Sequence, residues 1–289
     1  MSVPARAWAV TAAGTAVNLC LGILYGWSVW KAALVDESRA GQPMTGLNEG
    51  WTYLDNVSGT VAYSVCGVVF ALVMIPGGRL QDRYGAKLGA TLGGLFLAAG
   101  CVLAGLMKSF TGLVLGFGVL GGIGMGLGYA AATPAAVRWF PASRRGLIVG
   151  VVVAGYGAAA VYISPLADYL IARHGLSASF VGMGLLFAVV VVAAGRLLSP
   201  PPAGYVPPDP ASGGREPPEA TETRGAHAPR SPDFSAPQML GTWQFYALVL
   251  LFIGSAQSGL LVIANAKPFL TDAAGAGGFF ADRGWLVVT

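Results

Sequence analysis

Seven runs of mostly apolar residues, each about as long as a bilayer-crossing helix, take up most of this 289-residue chain. They cover 8–30, 57–76, 88–107, 111–136, 146–165, 176–195 and 242–266, and an eighth begins at 285 and reaches the last residue, 289. A helix needs about 20 such residues to cross the hydrocarbon core. None of the seven runs holds an Asp, Glu, Lys or Arg, and Lys108 falls between the third and fourth. Each such charge at the helix centre would cost about 2.5–3.5 kcal/mol on the insertion scale. Only 10% of the chain is charged, against about 25% in soluble domains. These observations predict an all-α, multi-pass membrane protein with the lipid bilayer as its solvent. The first run is too long for the ~7–15-residue core of a signal peptide, and no small-residue cleavage site follows Trp30, so it reads as a retained span.

Charge then sets the expected topology. The net charge of +4 could suggest nucleic acid, but a nucleic-acid binder gathers its basic residues on one face. Here they occupy short loops, which excludes that partner. With the N-terminus inside, the cytoplasmic segments would hold eleven Lys and Arg residues and the outer ones six, Lys31 among the six. That bias predicts a cytoplasmic N-terminus, in a cell (inner) membrane. The 43 residues 199–241 carry 11 of the 18 prolines and five acids, the composition of a disordered cytoplasmic linker. The expected organisation is a six-helix half over 1–198, the linker over 199–241, and an incomplete second half over 242–289.

Between the second and third runs stands "PGGRLQDRYGAKLGA", residues 76–90, with four ionised side chains in nine positions. It resembles the cytoplasmic signature G-x-x-x-D-R-x-G-R-K/R of the major facilitator superfamily, matched by Gly78, Asp82, Arg83, Gly85 and Lys87. Ala86 replaces one basic residue of that signature. The resemblance implies two six-helix halves rocking about a central site, latched on the cytoplasmic face by this gating loop. On that reading the glycines allow a tight turn and Asp82 faces the positive end of a neighbouring helix. A plain positive-inside loop would need neither Asp82 nor the spaced glycines.

Three further stretches, "NLCLGILYGWSVW", "GGIGMGLGYAAATPAAVRWFPASRRGL" and "VVVAGYGAAA", resemble the oxalate/formate antiporter family, which also includes monocarboxylate carriers. "GLLVIANAKPFL" is similar too. The resemblance implies a secondary transporter of a small organic anion, a mono- or dicarboxylate such as oxalate, formate or lactate. It also implies that Tyr25, Tyr129 and Tyr156, from helices 1, 4 and 5, line the substrate cavity, where a phenol hydroxyl can donate to a carboxylate. The plainer role for these tyrosines is an interfacial belt. Asn18 and Gln257 are further candidate ligands, although most polar groups in spans, Asn265 included, only bond across helices.

Other features have plainer readings. Gly116, Gly118 and Gly121 satisfy G-x-G-x-x-G inside a span, with no strand before them and no acidic partner after. Gly118, Gly122 and Gly126 instead form a helix-packing face. Cys20, Cys66 and Cys101 lie in apolar runs as packing residues, and His174 and His227 are too few for a metal site; no metal and no cofactor is expected. Pro134 and Pro165 read as local bends or stops. No nucleophile, base and orienter can be assembled at membrane depth, so an enzyme is not expected. The family's basic substrate partners lie in helices 8 and 11, outside this sequence, so the anion's counter-charge is not visible and the missing C-terminal helices would be needed to complete the fold. The alternatives are a truncated membrane protein that does not transport, or a carrier of the same fold for a different solute. A drug or sugar carrier usually implies an intramembrane acid, and the seven spans hold none.

Overall fold

The computed structural model describes residues 4–202, 204–207 and 236–264. They fall into two units, one carrying the first six spans and one around the seventh. In the first unit, α1 (Ala5–Leu34) passes from α-helix into a tighter 3-10 winding over Gly22–Gly26 and back. Next come α2 (Asn56–Tyr84), α3 (Ala86–Met107) and α4 (Phe110–Val137). Residues Leu113–Gly121 of α4 are wound as a π-helix, and α-helix resumes at Gly122. Arg145–Leu197 is helical throughout except at Gly175, which divides it into α5 (145–174) and α6 (176–197). In the second unit α7 (Trp243–Ala264) is one apolar helix. Each of the seven helices overlaps one of the seven apolar runs, and outward faces carry the exposed side chains Leu72, Ile75, Leu147, Val161 and Val189. Only a lipid solvent or further protein accommodates faces of this kind.

Within the first unit α4 is central. Gly118, Gly122 and Gly126 face α2: a Cβ at Gly122 would lie 2.8 Å from the Cys66 carbonyl, and one at Gly126 3.0 Å from the Phe70 carbonyl. Another α4 face, with Gly116 and Gly124, meets Gly100 and Gly93 of α3 equally closely. α1 packs on α5, where Gly155 backs onto Thr15, and on α4, where Gly14 meets Ala132. α3 packs on α6 through Gly105, Gly184 and Gly195. Exchanging α1–α2–α3 for α4–α5–α6 maps α1·α5 onto α4·α2 and leaves α1·α4 and α3·α6 unchanged. The same exchange relates two one-residue turns, Gly85 (φ 87°) between α2 and α3 and Gly175 (φ 82°) between α5 and α6. The backbone is extended at ψ in both (159° and 174°), a region open only to glycine. An arginine stands two residues before each, Arg83 and Arg173.

The described structure corrects several sequence expectations. The charged stretch after Pro76 is not a loop: α2 continues to Tyr84 and Gly85 alone makes the turn. Pro165 does not stop α5. α1 runs on to Leu34, so Lys31 belongs to a span and is only 6% exposed. Hydropathy marks where lipid begins, whereas a helix extends as far as its backbone hydrogen bonds and neighbours allow. The start of the expected linker is ordered on the bundle. Trp139 Nε1 donates to the Ser199 carbonyl at 2.9 Å, and the Tyr205 hydroxyl donates to the Trp139 carbonyl at 3.2 Å. Most of that linker, with His227, Asn265 and the expected eighth span, lies outside the described residues.

At the other end of the bundle, residues 35–55 form an ordered strap. Asn48 Oδ1 accepts from the Leu176 amide at 2.8 Å and so caps α6, while Trp51 Nε1 donates to Ser177 Oγ at 2.9 Å. Cys20, Cys66 and Cys101 are buried free thiols.

Candidate substrate cavity and charged turn

The fold brings Tyr25, Tyr129 and Tyr156 together. Tyr156, on α5 and 7% exposed, meets Tyr25 of α1 and Tyr129 of α4 edge to face, with ring centroids 5.3 and 5.2 Å away. Phe70 of α2 joins them, stacked on Tyr156 at 6.2 Å and edge-on to Tyr129 at 5.7 Å. Four helices therefore each give one ring to a single cluster. One of the tyrosines sits in irregular winding: Tyr25 lies in the 3-10 stretch of α1, whereas Tyr129 is in regular α-helix eight residues beyond the π-helical stretch of α4. Such departures from α-helix often mark functional positions. The Tyr156 hydroxyl is 3.8 Å from Met125 Sδ, a weak acceptor. Among the described residues the Tyr25 and Tyr129 hydroxyls have no hydrogen-bond partner. The cluster offers phenol donors and aromatic edges but no positive charge.

Asn18 is fully buried in the α1–α5 contact and donates from Nδ2 to the Val152 carbonyl at 2.8 Å. That is the interhelical bond expected of most polar groups in spans. Its Oδ1 has no partner among the described residues. Gln257 lies on α7, and its side chain is outside the described set.

At the charged turn, Gly85 supplies the positive φ, whereas Gly78 is an ordinary helical residue with nothing within 4 Å of where a Cβ would be. Gly77, outside the signature, is the glycine in close contact, 3.1 Å from the Gly126 carbonyl by the same construction. Asp82 meets a side chain, not a helix N-terminus: Arg138 Nη2 lies 3.5 Å from its Oδ1. Arg83 lies over its neighbour Tyr84, 5.5 Å from the ring centroid. An acid in the last turn of α2 opposes the negative end of its own helix, and the Arg138 cation offsets that. Lys87 stands in the first turn of α3.

The sequence reading did not single out Phe70, Met125, Arg138 or Lys31. Arg138 carried a signal in "VRWFPASRRGL", within a stretch already quoted for its resemblance. Phe70 carried none, since a phenylalanine in an apolar span is unremarked until its neighbours are known.

Long apolar helices with glycine-lined contacts, two related three-helix units and a charged one-residue turn are the features of a multi-pass membrane protein. The chain belongs to the Major Facilitator Superfamily, whose family model matches residues 43–281. It is 27% identical over 236 residues to the oxalate:formate antiporter of Oxalobacter formigenes, covering 78% of this chain and 52% of that one. It is 25% identical over 261 residues to the MFS-type transporter YhjX of Escherichia coli K12, covering 89% and 56%. Mouse monocarboxylate transporter 11 is 31% identical over 124 residues, covering 43% of this chain and 27% of the relative. The chain spans about half the length of the first two curated relatives.

Proposed function

We propose that this protein carries a small mono- or dicarboxylate, such as oxalate, formate or lactate, by alternating access. The observation that carries the reading is the meeting of Tyr25, Tyr129 and Tyr156, from three helices, in one cluster. A planar carboxylate can accept from phenol hydroxyls while its apolar edge packs against ring edges. The names of two relatives, an oxalate:formate antiporter and a monocarboxylate transporter, point to the same substrate class. Phenols alone would leave a carboxylate's charge unmatched at membrane depth, and its desolvation is costly. The complete site therefore needs a cation in addition to the tyrosines, in keeping with two cooperating halves.

In this proposal the organisation is a six-helix half over 1–198, a linker over 199–241 and part of a second half over 242–289. The N-terminus and the Gly85 turn face the cytoplasm, in a cell membrane. With Lys31 inside a span, the outer loops keep five of the basic residues against eleven on the cytoplasmic side, which supports that orientation. Asp82, Arg83, Gly85 and Lys87 gate the cytoplasmic face, with Arg138 as the partner of Asp82.

Uptake of labelled oxalate, formate and lactate into vesicles tests the reading, using the 289-residue chain and a version extended through a second six-helix half. Saturable uptake of one carboxylate by the extended version, competed by the others, is expected. Saturable uptake of a neutral sugar with none of any carboxylate would overturn it.

A further inference from the structure

Tyr25 reaches the tyrosine cluster from the irregularly wound part of α1, so whatever sets that winding sets where its hydroxyl stands. Up to Gly22 the helix is α: the Gly22 amide bonds back to the Asn18 carbonyl. By Trp27 the step has shortened to three residues, with the Trp27 amide on the Leu24 carbonyl. A 3-10 winding turns about 120° and rises about 2.0 Å per residue, against about 100° and 1.5 Å in an α-helix. Over the four steps from Leu21 to Tyr25 that carries the ring about 80° further round α1 and about 2 Å further along it. An unbroken α-helix would turn Tyr25 off its edge-to-face contact with Tyr156.

Two hydrogen bonds tie the residues just before this stretch to α5, one in each direction. Asn18 Nδ2 donates to the Val152 carbonyl at 2.8 Å, and the Tyr162 hydroxyl donates to the Leu19 carbonyl at 2.9 Å. In a continuing α-helix the Leu19 carbonyl accepts from the Ile23 amide, and a side chain inserted into that ladder bends or rewinds a helix. The Cys20 thiol also lies at the Tyr162 hydroxyl, but sulfur is the weaker acceptor, so the phenol proton stays on the carbonyl. The first and last residues of the 3-10 stretch press against the same helix: a Cβ at Gly22 would run into the Tyr156 carbonyl, and one at Gly26 into Ile163 Cγ2. One helix, α5, therefore meets Tyr25 with Tyr156 and grips the backbone that carries Tyr25 with Tyr162.

We infer that Tyr162 is a positioning residue for the substrate site: its hydroxyl, held on the Leu19 carbonyl, keeps Gly22–Gly26 in the winding that presents Tyr25 to the cluster. It acts on substrate only through Tyr25. The role in binding rests on the carboxylate reading above; the control of winding does not.

3-Fluorotyrosine placed at position 25 of the 289-residue chain tests the winding, because its fluorine shift senses the Tyr156 ring. Tyr156→Leu supplies the shift without that ring. Tyr162→Phe, which deletes one oxygen, should move the signal most of the way from the parent value to the Tyr156→Leu value. An unmoved signal overturns the inference. Should Tyr162→Phe not insert, 4-methylphenylalanine at 162 takes its place, since it fills the hydroxyl's volume and donates nothing.

The second readout is KM for labelled oxalate in the version extended through a second six-helix half. Tyr162→Phe should raise KM about two- to tenfold, the range of one neutral hydrogen bond, with a smaller change in kcat. Once Tyr25 is replaced by Phe, it should raise KM no further. A purely structural loss would act alike with and without the Tyr25 hydroxyl, so equal factors in the two backgrounds overturn the positioning role. A fluorine signal that moves as expected, beside an extended version that takes up no carboxylate, leaves the winding control standing and overturns the carboxylate reading instead.

Discussion

The Arg138 guanidinium stands 3.5 Å from the Asp82 carboxylate, joining the last turn of α2 to the end of α4. Both side chains are more than half exposed, so the pair contributes at most about 1 kcal/mol to stability. Asp82→Asn and Arg138→Gln should each shift the melting temperature only slightly. A double-mutant cycle should return a coupling of about 0.2–1 kcal/mol. An effect of that size can still move a balanced two-state equilibrium several-fold. Accessibility of the bundle end that carries the Gly85 turn to thiol reagents should change in both single variants and recover in the charge-swapped double variant. Unchanged accessibility in all three would remove this pair from the gate.

Two glycines of one motif should respond oppositely to alanine. Gly85 combines φ 87° with ψ 159°, and a side chain there costs on the order of 1–3 kcal/mol. Gly78 is helical with open space around it, where alanine gains about 0.5–1 kcal/mol. Thermal unfolding in detergent should therefore rank Gly78→Ala at or above the parent and Gly85→Ala clearly below it. The reverse order would mean that the turn lies elsewhere.

The tyrosines should also separate. Tyr129→Phe removes a hydroxyl with no hydrogen-bond partner among the described residues, and should weaken carboxylate binding by about 0.5–1.5 kcal/mol, or two- to tenfold. Tyr156→Phe should cost less, because its hydroxyl is already directed at Met125 Sδ. Competition for labelled oxalate checks both. Equal, negligible effects would make the cluster a packing feature only.

The orientation can be read from a single site. A cysteine at Ser212, in a background without the three native cysteines, should resist membrane-impermeant thiol reagents in intact cells and react once the cells are opened. Rapid labelling from outside would place the linker, and with it the Gly85 turn, on the outer face.

Acid should loosen the start of α2. Asp55 caps that helix, and hydrogen bonds from the Ser58 side chain and then its backbone hold the Asp55 carboxyl below its ordinary value. A depressed folded-state value means that the cap's contribution is fully present above the unfolded carboxyl's range and is lost as pH falls through the folded one. Melting temperature measured down through that acid range should fall less steeply in Asp55→Ala than in the parent, because the variant has no such contribution to lose. Parallel curves would show that the cap does not report on stability.

How much was legible in the sequence differs from residue to residue. The spans were, because a lipid solvent excludes charge from about twenty residues at a time and composition records that directly. Gly85 was legible only as one of the spaced glycines of the charged stretch; that the turn falls on it while Gly78 stays helical came from the structure. Tyr25, Tyr129 and Tyr156 were identifiable as candidates. That they touch is a consequence of how α1, α4 and α5 pack, since no spacing along the chain encodes contact between separate helices. The tertiary structure alone settled where helices end: α2 absorbs a charged stretch that hydropathy assigned to a loop, and α1 carries Lys31 inside the bundle. It also gave Asp82 a guanidinium partner and made Asn18 a strut between α1 and α5. Hydropathy reports the solvent each residue tolerates; a buried charge or an ion pair depends on which neighbours packing brings within a few ångströms, and only the fold fixes that.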